Sequence, residues 1–312
     1  MTRIKNAVEY SRLDSALSDF QLNNYALHGI LDPLSKKHWI MQILDSERRI
    51  EFLNSISHTI RDRSLATPYS GVFNAFKGVG ALQNNGQIEE AYWLTFLASH
   101  CGKHINDGWN LTEDLYGALG QGNTWTWNSV KNNPTVMKDW IADNQENLSG
   151  GVRSRKFGNH RRYTTLKDTG TGTGAAIVSY VNWIMSSGGH VNKIRSIQDM
   201  VGQNPKDVFA ELTIQVRQHV ITFARLGAFD LLCNLSNLRV APIIVDRSYI
   251  EDATGPKSGA RCLFEDAAAL SSAELEEKTM ELGQYLNISP QVMEDSLCNW
   301  QKDPSVYEYF RG

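Results

Sequence analysis

Arg153, Arg155, Lys156, His160, Arg161, Arg162 and Lys167 crowd a stretch that holds no acidic residue from Arg153 to Lys167. Cations at that density have no partner within the run, so the segment either stands in solvent or meets an anion. Phe157, Gly158, Asn159 and Tyr163 interleave them with stacking and hydrogen-bonding groups, and the run ends in Thr169-Gly-Thr-Gly-Thr-Gly174 before an apolar helix. Basic and aromatic residues leading into a glycine-rich helix N-terminus suit a chain of phosphates. Polyanion binding by Arg153, Arg155, Lys156, Asn159, His160, Arg161 and Arg162 is therefore favoured over a solvated loop.

The glycines admit a second chemistry, because Gly170-x-Gly172-x-x-Ala175 formally fits a dinucleotide fingerprint. That fingerprint needs a hydrophobic strand before it, and RRYTTLKD is not one; a P-loop fails for want of a Gly-Lys-Ser/Thr ending. A hairpin between two helices, with the backbone N–H groups of Gly170, Gly172 and Gly174 facing a phosphate, fits better. Upstream, Trp125 and Trp127 lie among Asn and Gly residues, where a tryptophan either anchors a loop to the core, the commoner role, or stacks on a base. His100, His104 and Asp107 are spaced to share a helical face as metal ligands, but Gly102 and the IND sequence argue for a helix end facing a polar cleft. Asp230 opens the apolar run LLCNL, where capping a helix is its ordinary role. Lys257 sits in the turn-rich loop Thr254-Gly-Pro-Lys-Ser-Gly259.

The elements that must position these groups read as helices. Val8, Leu13, Leu17 and Phe20 recur near helical spacing, as do Trp39, Ile40, Ile43, Leu44 and then Ile50, Leu53, Ile56, Ile60. Tyr69 to Gly86, with Gly71, Gly78, Gly80 and Gly86, suggests a loop. Ile88 to His100 is apolar on most sides, as a buried central helix would be. Thr112 is a plausible N-cap. The helix AAIVSYVNWIMSS stops at Gly188-Gly189, and another runs from about Lys206 to Arg225. Ala241 to Val245 is a lone strand or an extended segment ending at Asp246. Between Glu265 and Glu281 there are six acids and one lysine, which predicts a solvated helix pair with Ser271 and Ser289 as N-caps and Pro290 in a first turn.

With 312 residues and 41% hydrophobic composition, the chain can bury one large core or two modest ones. We expect a mainly α, two-lobed helical unit with few or no strands: N-terminal helices over 1–68, a binding and catalytic core over 69–265, and acidic C-terminal helices over 266–312. A net charge of −3 and a pI near 6.2 exclude a protein that coats nucleic acid everywhere and leave a local basic site. No signal-peptide core and no membrane-length apolar run occur, so a cytoplasmic protein without a membrane partner is expected. Cys101, Cys233, Cys262 and Cys298 form no C-x-x-C pair and read as buried free thiols.

RKFGNHRRY, the TGTGAAIVSYVNWI helix, and FARLGAFDLL followed by YIEDATGPKSGARCLF together resemble the alpha-glutamyl/putrescinyl thymine pyrophosphorylase family, most closely its third clade, over roughly residues 70 to 265. The resemblance implies the fold of helix-hairpin-helix DNA glycosylases and a place in the chemistry of hypermodified pyrimidines of phage DNA. Relatives of that family include transferases that join an amine or amino acid to an activated 5-hydroxymethyl pyrimidine, and antiviral glycosylases that excise bulky modified bases. Carried over, it puts DNA on Arg155, Lys156, His160, Arg161 and the Gly170–Gly174 turn, with Asp230 and Arg225 in the active pocket and Asp252 as second acidic candidate. Ala175 and Ala176 stand where bifunctional relatives carry a lysine, which disfavours a lyase step.

The expected activity is thus monofunctional DNA N-glycosylase action on a bulky modified pyrimidine such as glucosylated 5-hydroxymethylcytosine or hypermodified thymine, in defence against phage. The base would be flipped out, with Trp125, Trp127 or Phe157 at the gap. A carboxylate such as Asp230 would stabilise positive charge on the sugar and orient a water. No cofactor or metal is called for. A base-modifying transferase and a non-catalytic binder of modified DNA are the alternatives.

Overall fold

Local signals start most of the helices. Ser271 accepts the N–H of Glu274 while Glu274 reaches back to the Ser271 N–H, a reciprocal cap. Ser289 accepts from Val292 with Pro290 in the first turn, so both expected caps are present. The structure, a computed structural model, describes residues 6–150, 153–158, 164–264 and 269–309. Along the chain it contains α1 (Ala7–Asn23), α2 (Pro33–Ser57), α3 (Ala75–Asn84), α4 (Ile88–Cys101), α5 (Asn110–Tyr116), α6 (Trp127–Val130), α7 (Pro134–Asp143) and α8 (Gln145–Ser149). After these come α9 (Thr173–Met185), α10 (His190–Val201), α11 (Pro205–His219), α12 (Arg225–Asn237), α13 (Gly255–Leu263), α14 (Ser272–Tyr285) and α15 (Pro290–Trp300). Among the described residues there is no strand, only an isolated bridge between His104 and Gly108, so the mainly α class holds. No described helix is long and apolar enough to cross a membrane.

The chain divides into two compact units. The first takes the described residues within Met1–Phe52 and Val245–Gly312. Leu13, Leu17 and Phe20 of α1 and Trp39, Ile40 and Ile43 of α2 share a core with Leu263 of α13, Leu275 and Leu282 of α14, and Leu297 and Trp300 of α15. Each fully buried large side chain contributes roughly 1.5–3 kcal/mol, so the two ends of the chain stabilise each other. The expectation of a solvated C-terminal helix pair is corrected accordingly: Glu274, Glu277 and Glu281 of α14 are exposed, whereas Glu276 and Glu294 are buried and Asp295 of α15 pairs with Arg49.

The second unit is Leu53–Ile244. Every residue of α4 from Ala91 to Cys101 is buried, and α3, α5, α6, α10 and α12 pack against it. The loop expected between Tyr69 and Gly86 is instead interrupted by α3. Its Gly78 and Gly80 mark close packing: a Cβ on Gly78 would lie 2.8 Å from the Leu65 carbonyl oxygen, and one on Gly80 2.7 Å from Ile56 Cγ2. Thr112 is a further correction, since α5 already begins at Asn110 and the Thr112 hydroxyl is buried without a partner. The helix expected to reach Arg225 ends at His219, and Thr222 at φ 69° makes the turn into α12. Cys101 and Cys233 are buried, whereas Cys262 is exposed and Cys298 lies between.

Candidate functional site

The basic stretch does not float free. From Arg153 to Gly158 it is irregular backbone whose side chains alternate, Arg153, Arg155 and Phe157 half-buried and Ser154 and Lys156 exposed, a period of two like that of extended chain. The inward arginines meet two acids of α5. Arg153 pairs with Glu113 and lies 2.9 Å from Asp114, and Arg155 pairs with Asp114 through Nε. Asp114, with 1% of its surface exposed, also accepts the Tyr69 hydroxyl at 2.7 Å, and the Gly158 N–H donates to the Cys101 carbonyl at 2.8 Å. The two arginines thus find their counter-charges on a helix some forty residues earlier in the chain, and among the described residues of the run Lys156 and Lys167 are exposed cations. Asn159, His160, Arg161 and Arg162 lie outside the described residues, as does Tyr163.

The glycine turn opens α9, but residues 164–172 before it are not helical. Gly170 is exposed with open space around it, while Gly172 and Gly174 are buried. A Cβ at Gly172 would lie 2.1 Å from the Lys167 carbonyl oxygen, and one at Gly174 2.6 Å from Lys138 Cγ. The Gly172 and Thr173 N–H groups donate to Thr169 and Thr165 carbonyls. These two glycines have a packing reason, and Gly170 is the one that faces outward.

The tryptophans divide in the same way. Trp127 is buried, its ring 4.3 Å from that of His190 and 6.1 Å from that of Trp93, with its backbone N–H donating to Glu90 at 2.8 Å. Trp125 is half-buried, 5.7 Å from Trp140, and its indole N–H has no partner. Phe157 stands edge-on to His100 at 6.1 Å. His100 itself is buried and bonded to Thr173 Oγ1 at 3.0 Å. Gly102, at φ 68°, ends α4, so His104 and Asp107, 3.2 Å apart, lie in the loop beyond and not on a common helical face with His100. Among the described residues no group of three side chains could hold a metal ion.

Arg225 and Asp230 both lie on α12, five residues and therefore about 140° apart around it. Arg225 is buried at the first position, its guanidinium 5.0 Å over the Phe229 ring; Asp230 is half-buried inside the helix, which replaces the reading of it as a cap. Asp252 is exposed in the turn before α13. Lys257, within α13, donates to the Glu251 carbonyl at 2.7 Å and to Ser272 at 3.1 Å.

One carboxyl that sequence reasoning passed over carries more of the signs of a working group. Asp246 follows the extended Ala241–Val245 run, and no helix begins there for it to cap. Its Oδ1 accepts the Tyr249 hydroxyl at 2.8 Å, and Arg247 Nε stands 3.9 Å from its Oδ2. Burial pushes its pKa above the ordinary aspartate value, against the opposing pull of Tyr249, backbone N–H groups and Arg247. A carboxyl held partly out of water with one aimed donor is a common form of reactive acid. The available signal in the sequence was an acid at the end of a short apolar run with nothing to cap.

In the second unit, Tyr92, Trp183, Lys193 and leucines of α11 and α12 line a small cavity of about 20 Å³. At its wall His190 donates from Nδ1 to Glu89 at 2.7 Å, and its Nε2 lies 2.9 Å from the Tyr180 hydroxyl. Glu89 also accepts the His190 and Val191 N–H groups, so it caps α10 from outside that helix. Burial lowers the His190 pKa despite Glu89, and the ring serves as a neutral link.

A family model described as alpha-glutamyl/putrescinyl thymine pyrophosphorylase clade 3 matches residues 34–312. No curated protein and no solved structure matches the chain.

Proposed function

Since the chain belongs to the alpha-glutamyl/putrescinyl thymine pyrophosphorylase family, clade 3, we propose that it is an enzyme acting on modified pyrimidines in DNA, and specifically a monofunctional N-glycosylase. The observation that carries the chemistry is Asp246, half-buried and hydrogen-bonded by Tyr249. As the N1–C1′ bond breaks, its electron pair leaves with the base and positive charge grows on the sugar. A carboxylate beside the sugar stabilises that charge, and it takes the proton of the water whose oxygen bonds to C1′. The departing base anion takes up a proton, from the carboxyl or from water, so the products are the free base and an abasic site. The flipped base would come from phage DNA carrying bulky modifications. Lys156, Lys257 and the Gly170 turn, with Arg161 and Arg162, are the proposed phosphate contacts.

Asp230, with Arg225, and Asp252 are the rival acids. The test is incubation of the protein and its Asp246→Asn, Asp230→Asn and Asp252→Asn variants with DNAs carrying different modified pyrimidines, followed by detection of abasic sites. Loss in Asp246→Asn alone supports the assignment; cleavage by that variant at the wild-type rate removes Asp246 from the role.

The second reading, a transferase, is favoured by the family's own description as a pyrophosphorylase. A carboxylate then takes the proton of an amine that displaces pyrophosphate from the 5-methylene carbon. Mass spectrometry of digested DNA separates the two, since transfer leaves heavier nucleosides and excision leaves abasic sites. A binder without activity would leave the DNA unchanged.

A further inference from the structure

The donor that orients Asp246 is itself held from a distant part of the sequence. Glu276, on α14, has 7% of its surface exposed. Its Oε1 accepts the Ser248 hydroxyl and the Tyr249 N–H, both at 2.9 Å; its Oε2 accepts the N–H groups of Ile250 and, at 3.2 Å, Glu251. Three successive backbone donors and one hydroxyl thus converge on a single buried side chain. Tyr249 sits at φ 53°, in the left-handed region that a bulky residue adopts only when its surroundings hold it there.

We propose that Glu276 is a positioning residue for the Asp246 carboxyl: by gripping the Ser248–Glu251 turn it fixes Tyr249 so that its hydroxyl points at Asp246. Which reaction this serves rests on the reading of Asp246 as the reacting acid. A purely structural cap would make the same contacts with Glu276, but it would have no bearing on the state of Asp246. The two roles therefore differ in what Asp246 does when Glu276 is changed. The groups that bear on Asp246 are the Tyr249 hydroxyl, the Arg247 guanidinium and the N–H groups of Asp246 and Arg247, with Glu276 acting on Arg247 in turn.

Glu276→Gln keeps the shape but replaces one acceptor oxygen by a donor facing N–H groups, so the turn relaxes and Tyr249 swings off Asp246. The Tyr249 hydrogen bond favours the ionised Asp246, so its loss moves the titration of Asp246 to higher pH. Carbon-detected NMR of the Asp246 carboxyl in the intact protein reads this directly, without any substrate. The expected result is an upward shift in Glu276→Gln that matches the one in Tyr249→Phe, with the double variant shifting no further. In the assay, the acid limb of kcat moves to higher pH, kcat falls about tenfold or more, and KM for DNA stays near the wild-type value. A folded Glu276→Gln protein whose Asp246 titrates as in wild type overturns the proposal. If thermal unfolding shows that variant to be unfolded, Glu276→Asp, shorter by one methylene, takes its place with the same deciding outcome. A wild-type protein inactive on every modified DNA sinks the functional reading while the NMR comparison still decides the clamp. An active one with an unmoved titration does the reverse.

Discussion

Asp246 is held in a state that the folded protein would shed if stability alone mattered. Its charged form is disfavoured by burial, so its folded pKa stands above the unfolded one, and its contribution to stability is lost as pH rises through the folded value. Asp246→Asn removes that charge, and we expect it to abolish excision by at least about a hundredfold while leaving thermal stability at pH 7 equal or higher. A calorimetric scan beside the abasic-site assay checks both; a variant that is inactive because it is unfolded would point to a structural role.

Glu89 shows the opposite sign. Burial alone would raise its pKa, but hydrogen bonds from the His190 ring and from the Val191 and His190 N–H groups lower it to about 2 from 4.5. Its stabilising effect is present above pH 4.5 and is lost as pH falls toward 2. Glu89→Gln should lower the unfolding midpoint at neutral pH and flatten the acid limb of stability in that window. An unchanged limb would mean that the cap on α10 contributes nothing.

At the scale of elements, the Arg153–Gly158 segment separates charge that holds the fold from charge that is free to meet a ligand. Removing Arg155 leaves the buried Asp114 short of a cation and should cost about 3 kcal/mol, read by denaturant unfolding. Lys156→Ala should leave stability within about 0.5 kcal/mol and, if the segment meets DNA, weaken binding across sequences and reduce its salt slope. Glycine positions in helices carry the second element-scale expectation. Gly80→Ala would drive a methyl group into Ile56 and should destabilise the second unit by about 1–3 kcal/mol; stability equal to wild type would mean that α3 can slide away from α2.

For the molecule as a whole, the pH dependence of stability is set by a few groups and not by the net charge of −3. In the first unit, burial and the neighbouring Glu9 raise the Glu47 pKa from 4.5 to about 7, with Arg12 opposing them. The proton is bound more tightly in the folded state, so this group's contribution is lost as pH rises from 4.5 through about 7. Glu47→Gln should remove that slope from a stability profile measured across the window; a profile identical to wild type would show that Glu47 stays solvated.

Sequence pattern alone determined the helical class, because apolar spacing and caps such as Ser271 and Ser289 are local signals. It also marked the basic run and the family resemblance, both written in contiguous residues. Local pattern has no access to what folds back on it. That Arg153 and Arg155 face Glu113 and Asp114, that Gly78 and Gly80 pack against Leu65 and Ile56, and that Glu276 reaches the turn behind Asp246 are contacts between segments apart in the chain. An acidic residue on α14 looks solvated until its neighbours are known, and Asp246 looks ordinary until burial and Tyr249 act on it. Tertiary structure decided those points, since burial and partner geometry, which set the energy of a charge, exist only once the chain has closed on itself.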